Sequence, residues 1–312
     1  MTTPFKLAAA LILSGMIVSG CQRPAEKADA PAAAATRPAA SADVHPFTIG
    51  ALQAAALKDG DLVLENVAGQ SPWTDNAGVA EVLRQTNDPK IHLSIQPLLI
   101  QGDDKVVLID TGAGGQMGTA NKLAASLTAA GVQPGQVTDI LISHGHGDHL
   151  GGLVANGALV FPNAVIRMSA AEWTAVQADP ELSTLIPVIT PKVQTFERGA
   201  QVTPSITAVA LQGHTPGHTG YEIVSGQDRL LYIGDALHSS VISVERPEFV
   251  NGWDNDSDAA IATRLALLGR GATQGLRVYG VHFPFPGLGT FRRQADGFVW
   301  VPATAAAPAP QG

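Results

Sequence analysis

The run His144-Gly145-His146-Gly147-Asp148-His149 constrains this chain more than any other stretch. Four potential metal ligands fall within six residues, separated only by glycine. The preceding residues, Asp139-Ile140-Leu141-Ile142-Ser143, have the length and β-branched content of a short buried strand. The ligands therefore leave a strand end on a loop, which is where sites in open α/β sheets lie. Side chains two apart in an extended segment project to the same side, so His144 and His146 can share one metal. Gly145 and Gly147 make a turn sterically possible, and beyond it Asp148 and His149 point elsewhere and can hold a second metal.

Other strand ends carry matching chemistry. Asp110-Thr111-Gly112 closes one apolar run, and Gly213-His214-Thr215-Pro216-Gly217-His218-Thr219 another. Gly234-Asp235-Ala236 follows Tyr232-Ile233, and His282-Phe283-Pro284 follows Tyr279-Gly280-Val281. Two neighbouring divalent ions need imidazoles for each and, at roughly 3.5–4 Å apart, are naturally joined by a carboxylate. The inventory fits His144, His146 and His214 on one ion, Asp148, His149 and His282 on the other, and Asp235 between them. By spacing alone either His214 or His218 can serve as ligand. Asp148 and Asp235 are the candidate catalytic carboxylates. Asp110, Thr215 and His218 are candidates to support the ligands from behind. Zinc is the default ion for a His-rich set, and mixed His/Asp ligation also accepts manganese, iron or cobalt. Trp173, Phe283 and Phe285 are candidate substrate-pocket walls. His238, three residues beyond Asp235, is left without a role, as are His45 and His92.

The formal charge of −8, with no Lys/Arg cluster, argues against a nucleic-acid surface. Cys21 is the single cysteine, which rules out an intrachain disulfide. Residues 1–21, with Lys6 before an apolar stretch at 7–18, read as a secretory signal too short for a comfortable membrane span. Val18-Ser19-Gly20-Cys21 resembles the lipobox of bacterial lipoproteins, which implies lipidation at Cys21. Gln22 after it implies release to the outer membrane. The expected location is the bacterial cell envelope, as a periplasm-facing outer-membrane lipoprotein or, with an ordinary cleaved signal, a soluble periplasmic protein. The only expected membrane contact is the N-terminal lipid anchor. Residues 22–44 are an Ala/Pro-rich disordered tether, 45–301 the folded domain, and 302–312 a disordered tail.

Within the domain, strands are expected at 47–52, 61–65, 91–100, 105–110, 164–168, 207–211, 221–224, 229–233, 276–281 and 298–301. Helices are expected at 121–131, at 170–177 and, capped by Asp256-Ser257-Asp258, at 259–268. Residues 178–200, punctuated by proline, are expected to form a loop over the site. The two halves have similar content, which suits two sheets packed face to face with helices outside.

The His-x-His-x-Asp-His at 144–149, Gly-His-Thr-Pro-Gly-His at 213–218, Gly-Asp at 234–235 and late His282 resemble, in order and separation, the metallo-β-lactamase superfamily. The resemblance spans about residues 45–301. It implies the α/β class and an αβ/βα sandwich: two mixed β-sheets face to face, helices outside, two metals at the edge between the sheets. It also implies that His214 binds metal while His218 packs behind it. Val281-His282-Phe283-Pro284-Phe285-Pro286-Gly287 and the exported form look most similar to methyl parathion hydrolase and its quorum-quenching lactonase relatives. The implied reaction is attack by a metal-bridging hydroxide on a small-molecule ester, lactone or phosphotriester. A β-lactamase is the alternative enzyme, against which no Lys or Arg is evidently placed to pair the antibiotic's carboxylate. A non-catalytic metal- or ligand-binding envelope lipoprotein is the alternative of a different class, against which the ligand set is complete. A dimer is compatible with the sequence, which does not set the oligomeric state.

Overall fold

The computed structural model describes Met1 and residues 38–117 and 119–303. Cys21, the rest of the signal segment, the tether up to residue 37 and the tail from residue 304 lie outside the described residues. The first strand, Val44–Ile49, begins one residue before the expected domain start, and Val44 is fully buried. The last, Gly297–Pro302, takes in the first residue of the expected tail. Among the described residues, no helix is long and apolar enough to cross a membrane.

Two seven-stranded sheets form the body. All strands of the first lie between Val44 and Phe196, and all strands of the second between Gln201 and Pro302. Side chains alternate across a strand, so each sheet has two chemically distinct faces. In Leu98–Gly102 and Lys105–Ile109, Leu98, Ile100, Val107 and Ile109 face one way, while Leu99 and Leu108 face the other. The first set meets Ile206, Ala208, Tyr221, Ile223, Leu230 and Tyr232 of the second sheet in one core between the sheets. On the outer face of the first sheet, Leu99 and Leu108 pack with Leu123, Leu127, Val176 and Ile189 from helical segments. On the outer face of the second, Leu231 and Val278 pack with Leu267 and Leu268 of the helix Ser257–Gln274. The layers thus run helix, sheet, sheet, helix, as the resemblance implies.

Strand direction places the site. Lys105–Ile109, Asp139–Leu141 and Val165–Ser169 run parallel to one another, so Asp110, the 143–149 loop and the helix Ala170–Ala178 leave the same edge. In the second sheet Asp228–Tyr232 is parallel to Arg277–Tyr279, which sends the Asp235 turn and His282 to one end. Backbone Thr219 N donates to Ser143 O at 3.0 Å and joins the two sheets beside the ligand loop.

Two expected strands are each two. The run 47–52 turns at Gly50-Ala51, where Ile49 pairs with Leu52 and Gly50 takes φ 54°. The run 91–100 breaks at Gln96-Pro97, because proline offers no N–H to continue a ladder. Lys90–Ile95 then pairs with Gly60–Glu65 in a separate hairpin, while Leu98–Gly102 joins the first sheet. Residues 178–200 are not one loop. They contain the helix Ile186–Ile189 and the edge strand Val193–Phe196. The long outer helix continues past Arg270 and Gly271 to Gln274 and stops at Gly275, which is left-handed. The helix Asn76–Leu83 and the strand Leu288–Gln294 lack an expectation.

Candidate active site

The ligand loop is a strand end turned into one helical turn. After Asp139–Leu141 the chain bends at Ser143 and again at Gly145-His146 and then enters Gly147–Leu150. His144 and His146 converge across these bends, and Asp148 and His149 come from the helical turn. His144 Nε2 lies 3.0 Å from His146 Nδ1 and 3.2 Å from His214 Nε2, and His214 Nε2 lies 3.0 Å from His146 Nδ1. Asp235 Oδ2 is 3.8 Å from His144 Nε2 and 3.6 Å from His214 Nε2. Asp235 Oδ1 is 3.2 Å from His149 Nε2 and 3.1 Å from His282 Nε2. Asp148 Oδ2 is 3.5 Å from His149 Nε2 and 3.4 Å from His282 Nε2. The donor atoms thus form two clusters, His144/His146/His214/Asp235 and Asp148/His149/His282, with the Asp235 carboxylate facing both.

The outward nitrogens show which way each ring is set. His149 Nδ1 donates to Asp110 Oδ2 at 2.7 Å, His282 Nδ1 to Ser94 O at 2.7 Å, and His214 Nδ1 to Asp254 Oδ1 at 3.1 Å. Ser143 Oγ gives its own proton to Asp110 Oδ2 at 2.7 Å, so it accepts from His144 Nδ1 at 3.0 Å. In each of these four imidazoles Nδ1 is turned outward to its partner and Nε2 faces the cluster. Lone pairs that converge without a proton between them repel unless a cation sits among them. His149 Nε2 and Asp235 Oδ1 are buried and have no hydrogen-bond partner. Buried polar atoms are normally satisfied, so the donor set fits a divalent cation at each cluster.

The electrostatics agree. Burial drives the His214 imidazole down to about 3 and holds His144 well below its ordinary value. His149 goes the other way: burial alone would lower it, but Asp235, Asp148 and Asp110 raise it well above the usual range. Burial would also raise Asp235, and His149, His282 and His144 outweigh it and hold the carboxyl low. Strong shifts of both signs packed into one cleft mark these residues as a functional-site candidate.

The supporting residues fall behind these rings. Asp110, fully buried with φ 59°, accepts from Ser143 N, Ser143 Oγ, His149 Nδ1 and Tyr232 Oη. His218 lies outside both clusters: its Nδ1 donates to Leu211 O at 2.8 Å and its Nε2 accepts from Asp235 N at 2.9 Å. A Cβ on Gly234 would lie 2.5 Å from that Nε2, so the turn carrying Asp235 needs glycine there. Thr215 Oγ1 donates to Glu172 Oε2 at 2.7 Å and makes its contact there.

Glu172 has no counterpart among the expected residues. It is 1% exposed, and it also accepts from Gly145 N at 2.7 Å and Gly217 N at 2.9 Å. One carboxylate from the helix Ala170–Ala178 thereby ties the His144 loop to the His214 loop. In sequence, Ser169-Ala170-Ala171-Glu172 reads only as a helix-capping box. Ser169 Oγ does accept from Glu172 N at 3.1 Å, but the Glu172 side chain turns to the loops. Glu172→Gln puts an amide NH₂ against backbone or hydroxyl donors. Leaving one such buried group unsatisfied costs about 1–3 kcal/mol. The expected outcome is a lower Tm together with weaker metal binding, measured by calorimetry and chelator competition. An unchanged Tm would remove Glu172 as the tie between the loops.

The cavity above the clusters, about 570 Å³, is walled by Leu62, Leu93, Met117, Leu182, Leu185 and Trp253, with Asp148, Asp235 and His282 at its base. Residues 179–185 and 252–253 therefore form part of the wall. The pocket expectation for Trp173, Phe283 and Phe285 is corrected. Trp173 packs on the outer core of the first sheet. Phe283 is fully buried against Trp300, and Phe285 packs on the core between the sheets. Leu62 and Leu93 come instead from the separate hairpin, a long-range placement with no local sequence signal. His238 is 1% exposed, with Nε2 3.2 Å from Asp235 Oδ2 and Nδ1 beside Asn251 Nδ2 at 3.2 Å.

Residues 93–282 match the family model of the metallo-beta-lactamase superfamily. An N-acyl homoserine lactonase of Bacillus cereus is 27% identical over 165 residues, 46% of this chain and 63% of its own length. The chain thus spans less than two thirds of that relative. Among solved structures, AidC, a dizinc quorum-quenching lactonase in complex with a product, superposes with a TM-score of 0.77 at 32% identity, covering 85% of this chain and 98% of its own. The hydrolase AbOPH superposes with a TM-score of 0.78 at 26% identity, covering 86% of this chain and 100% of its own.

Proposed function

The chain belongs to the metallo-beta-lactamase superfamily and is a metallo-hydrolase, and from that premise we propose that it is binuclear and opens a small, uncharged ester bond, with lactones ahead of phosphotriesters. The observation that carries the binuclear reading is Asp235, whose two oxygens face two separate clusters of imidazole nitrogens. His144, His146 and His214 would hold one ion and Asp148, His149 and His282 the other, with Asp235 shared. Zinc, when bound there, supplies Lewis acidity and lowers the pKa of water toward neutrality.

The protein's own groups do the rest. Ser143, Asp110, Asp254 and the Ser94 carbonyl fix the ring tautomers, so no reorganisation is needed as the reaction proceeds. Asp148 remains an acceptor at the cavity base: burial would raise its carboxyl, but His149 and His282 outweigh that and lower it. Its place in the cavity suits it to take a proton from the attacking water and return it to the leaving alkoxide. The apolar wall from Leu62 to Trp253 excludes water and matches an acyl or aryl group. The lactonase relatives support a lactone.

One observation weighs against the β-lactam alternative. Apart from the proposed metal ligands, the described residues lining the cavity include two acids, Asp179 and Glu181, and no lysine or arginine. A substrate carboxylate finds no partner on these walls. The zinc-loaded protein is expected to hydrolyse a long-chain acyl-homoserine lactone or an aryl phosphotriester with kcat/KM at least on the order of tenfold above a chromogenic cephalosporin, because like-charge juxtaposition costs several kcal/mol. Preference for the cephalosporin would overturn the substrate class and leave the metal site standing. Export with Cys21 lipidated belongs to the same proposal, and mass analysis of the mature N-terminus tests it.

A further inference from the structure

Residues 247–256, which precede the long outer helix, wrap around one buried side chain. Arg264, on Ser257–Gln274, is 3% exposed. Its Nε donates to Pro247 O at 2.9 Å, its Nη2 to Phe249 O at 3.2 Å, and its Nη1 to Asp254 Oδ2 at 2.7 Å. The second oxygen of Asp254, whose side chain is fully buried, accepts from His214 Nδ1 at 3.1 Å. Backbone bonds run alongside, from Asn255 N to His214 O at 3.0 Å and from Asp256 N to Gly213 O at 2.8 Å. Between the Phe249 and Asp254 anchor points lies Trp253, a wall of the cavity. Its backbone N is held by Asn251 Oδ1 at 2.9 Å.

A guanidinium taken this far from water is costly unless its donors and its charge are all answered. Here each of its three nitrogens has a partner, two carbonyls and a carboxylate, in a planar fork that an ammonium cannot reproduce. An anchor needed only for folding could end on any carbonyl. This one ends, through one carboxylate, on the outward nitrogen of a ring whose other nitrogen faces the first cluster.

We propose that Arg264 is a positioning residue with two outputs. Through Asp254 it fixes the tautomer and ring plane of His214, and through the Pro247 and Phe249 carbonyls it holds the strap that presents Trp253 to the cavity. Affinity for the ion at the His144/His146/His214 cluster and the shape of the substrate wall are thereby set by one side chain. The inference rests on His214 as a metal ligand.

The test uses the full chain with zinc or cobalt, comparing Arg264→Lys, Asp254→Asn, Trp253→Ala and His214→Ala. Zinc stoichiometry and affinity are read by competition with a chromogenic chelator, site geometry by the cobalt d–d bands, and turnover as separate kcat and KM. Asp254→Asn is expected to weaken one of two zinc ions by about 10–100-fold and to shift the d–d bands. Arg264→Lys is expected to do the same and also to raise KM. Trp253→Ala is expected to raise KM alone, with both zinc affinities unchanged. Should Arg264→Lys fail to fold, the double variant Arg264→Met with Asp254→Asn, which removes both buried charges together, carries the test. Folded Arg264→Lys and Asp254→Asn proteins that bind both ions as tightly as wild type, while His214→Ala loses one, would overturn the proposal and leave the ligand assignment intact. A His214→Ala protein that keeps both ions at wild-type affinity would overturn both.

Discussion

Asp235→Ala is expected to lower kcat/KM by at least the ~10²–10³-fold that loss of one preorganised charged group costs, with bound zinc falling below two per chain. The expectation follows from where its two oxygens point. Oδ2 faces the His144 and His214 nitrogens, Oδ1 faces that of His149, and His282 Nε2 lies 3.1 Å from Oδ1 and 3.2 Å from Oδ2. Asp235 is 4% exposed, and water has little room to replace its side chain. Removing it leaves two clusters of imidazoles with no shared anion between them, so the loss reaches both ions. Asp235→Asn separates charge from shape, since its amide nitrogen would aim protons at one set of nitrogens. Stoichiometry by elemental analysis and steady-state kinetics check the result, and full turnover by the alanine variant would rule out a bridging role.

Stripping the metals should have the second largest effect, this time on stability. A ligand at a thousand times its dissociation constant stabilises the native state by about 4 kcal/mol per site. For two sites in a chain of this size, at roughly 2–4 °C per kcal/mol, the Tm should fall by roughly 15 °C or more. The stripped protein should also become sensitive to acid. His214 in the fold titrates at about 3, below its unfolded value, and burial lowers His144, His146 and His218 as well. Between pH 6.5 and about 3 the unfolded chain takes up a proton that folded His214 refuses, so its contribution is present above that window and lost as pH falls through it, and the other lowered imidazoles act in the same direction. Burial would also lower His149 and His282, but facing carboxylates, Asp235 foremost, outweigh it and raise both. Their contribution is present in acid and is lost as pH rises through their folded values. Five lowered imidazoles, His45 with the four at the site, outnumber two raised ones, so the Tm of the stripped protein should decline from pH 7 to pH 4. Calorimetry across that range decides it, and a flat profile would contradict the assignment.

What could be seen in the sequence was local. The His144–His149 loop carries its own strand and glycines, and the turns at Asp235 and His282 each follow an apolar run with parallel-strand character. Alternating apolar residues made the sheets legible, and the long outer helix announced itself through Asp256, whose side chain accepts from Ala259 N. The parts that stayed hidden depend on contacts between distant segments. Glu172 looks like a cap until the His144 and His214 loops are seen on either side of it. Asp254 has no local pattern at all, and its role comes from a ring 40 residues earlier. The cavity wall was misplaced because Phe283 sits beside a ligand in sequence yet its ring turns into the core, while Leu62 arrives from a hairpin. The reversals inside 47–52 and 91–100 are marked locally by Gly50 and Pro97, but which strand each new segment pairs with depends on distant residues.

Each sheet is drawn from one continuous half of the chain, which has a consequence for the order in which the molecule is put together. As the polypeptide is made, the first half can lay down its strands and its short His144–His149 loop before His214, Asp235 and His282 exist. At that stage neither ion has a full set of ligands. The inner apolar face is also uncovered until Ile206, Tyr221 and Tyr232 arrive to close it. On the proposed binuclear reading, neither site can be completed before the second half comes to rest on the first, because His214, Asp235 and His282 all arrive with it.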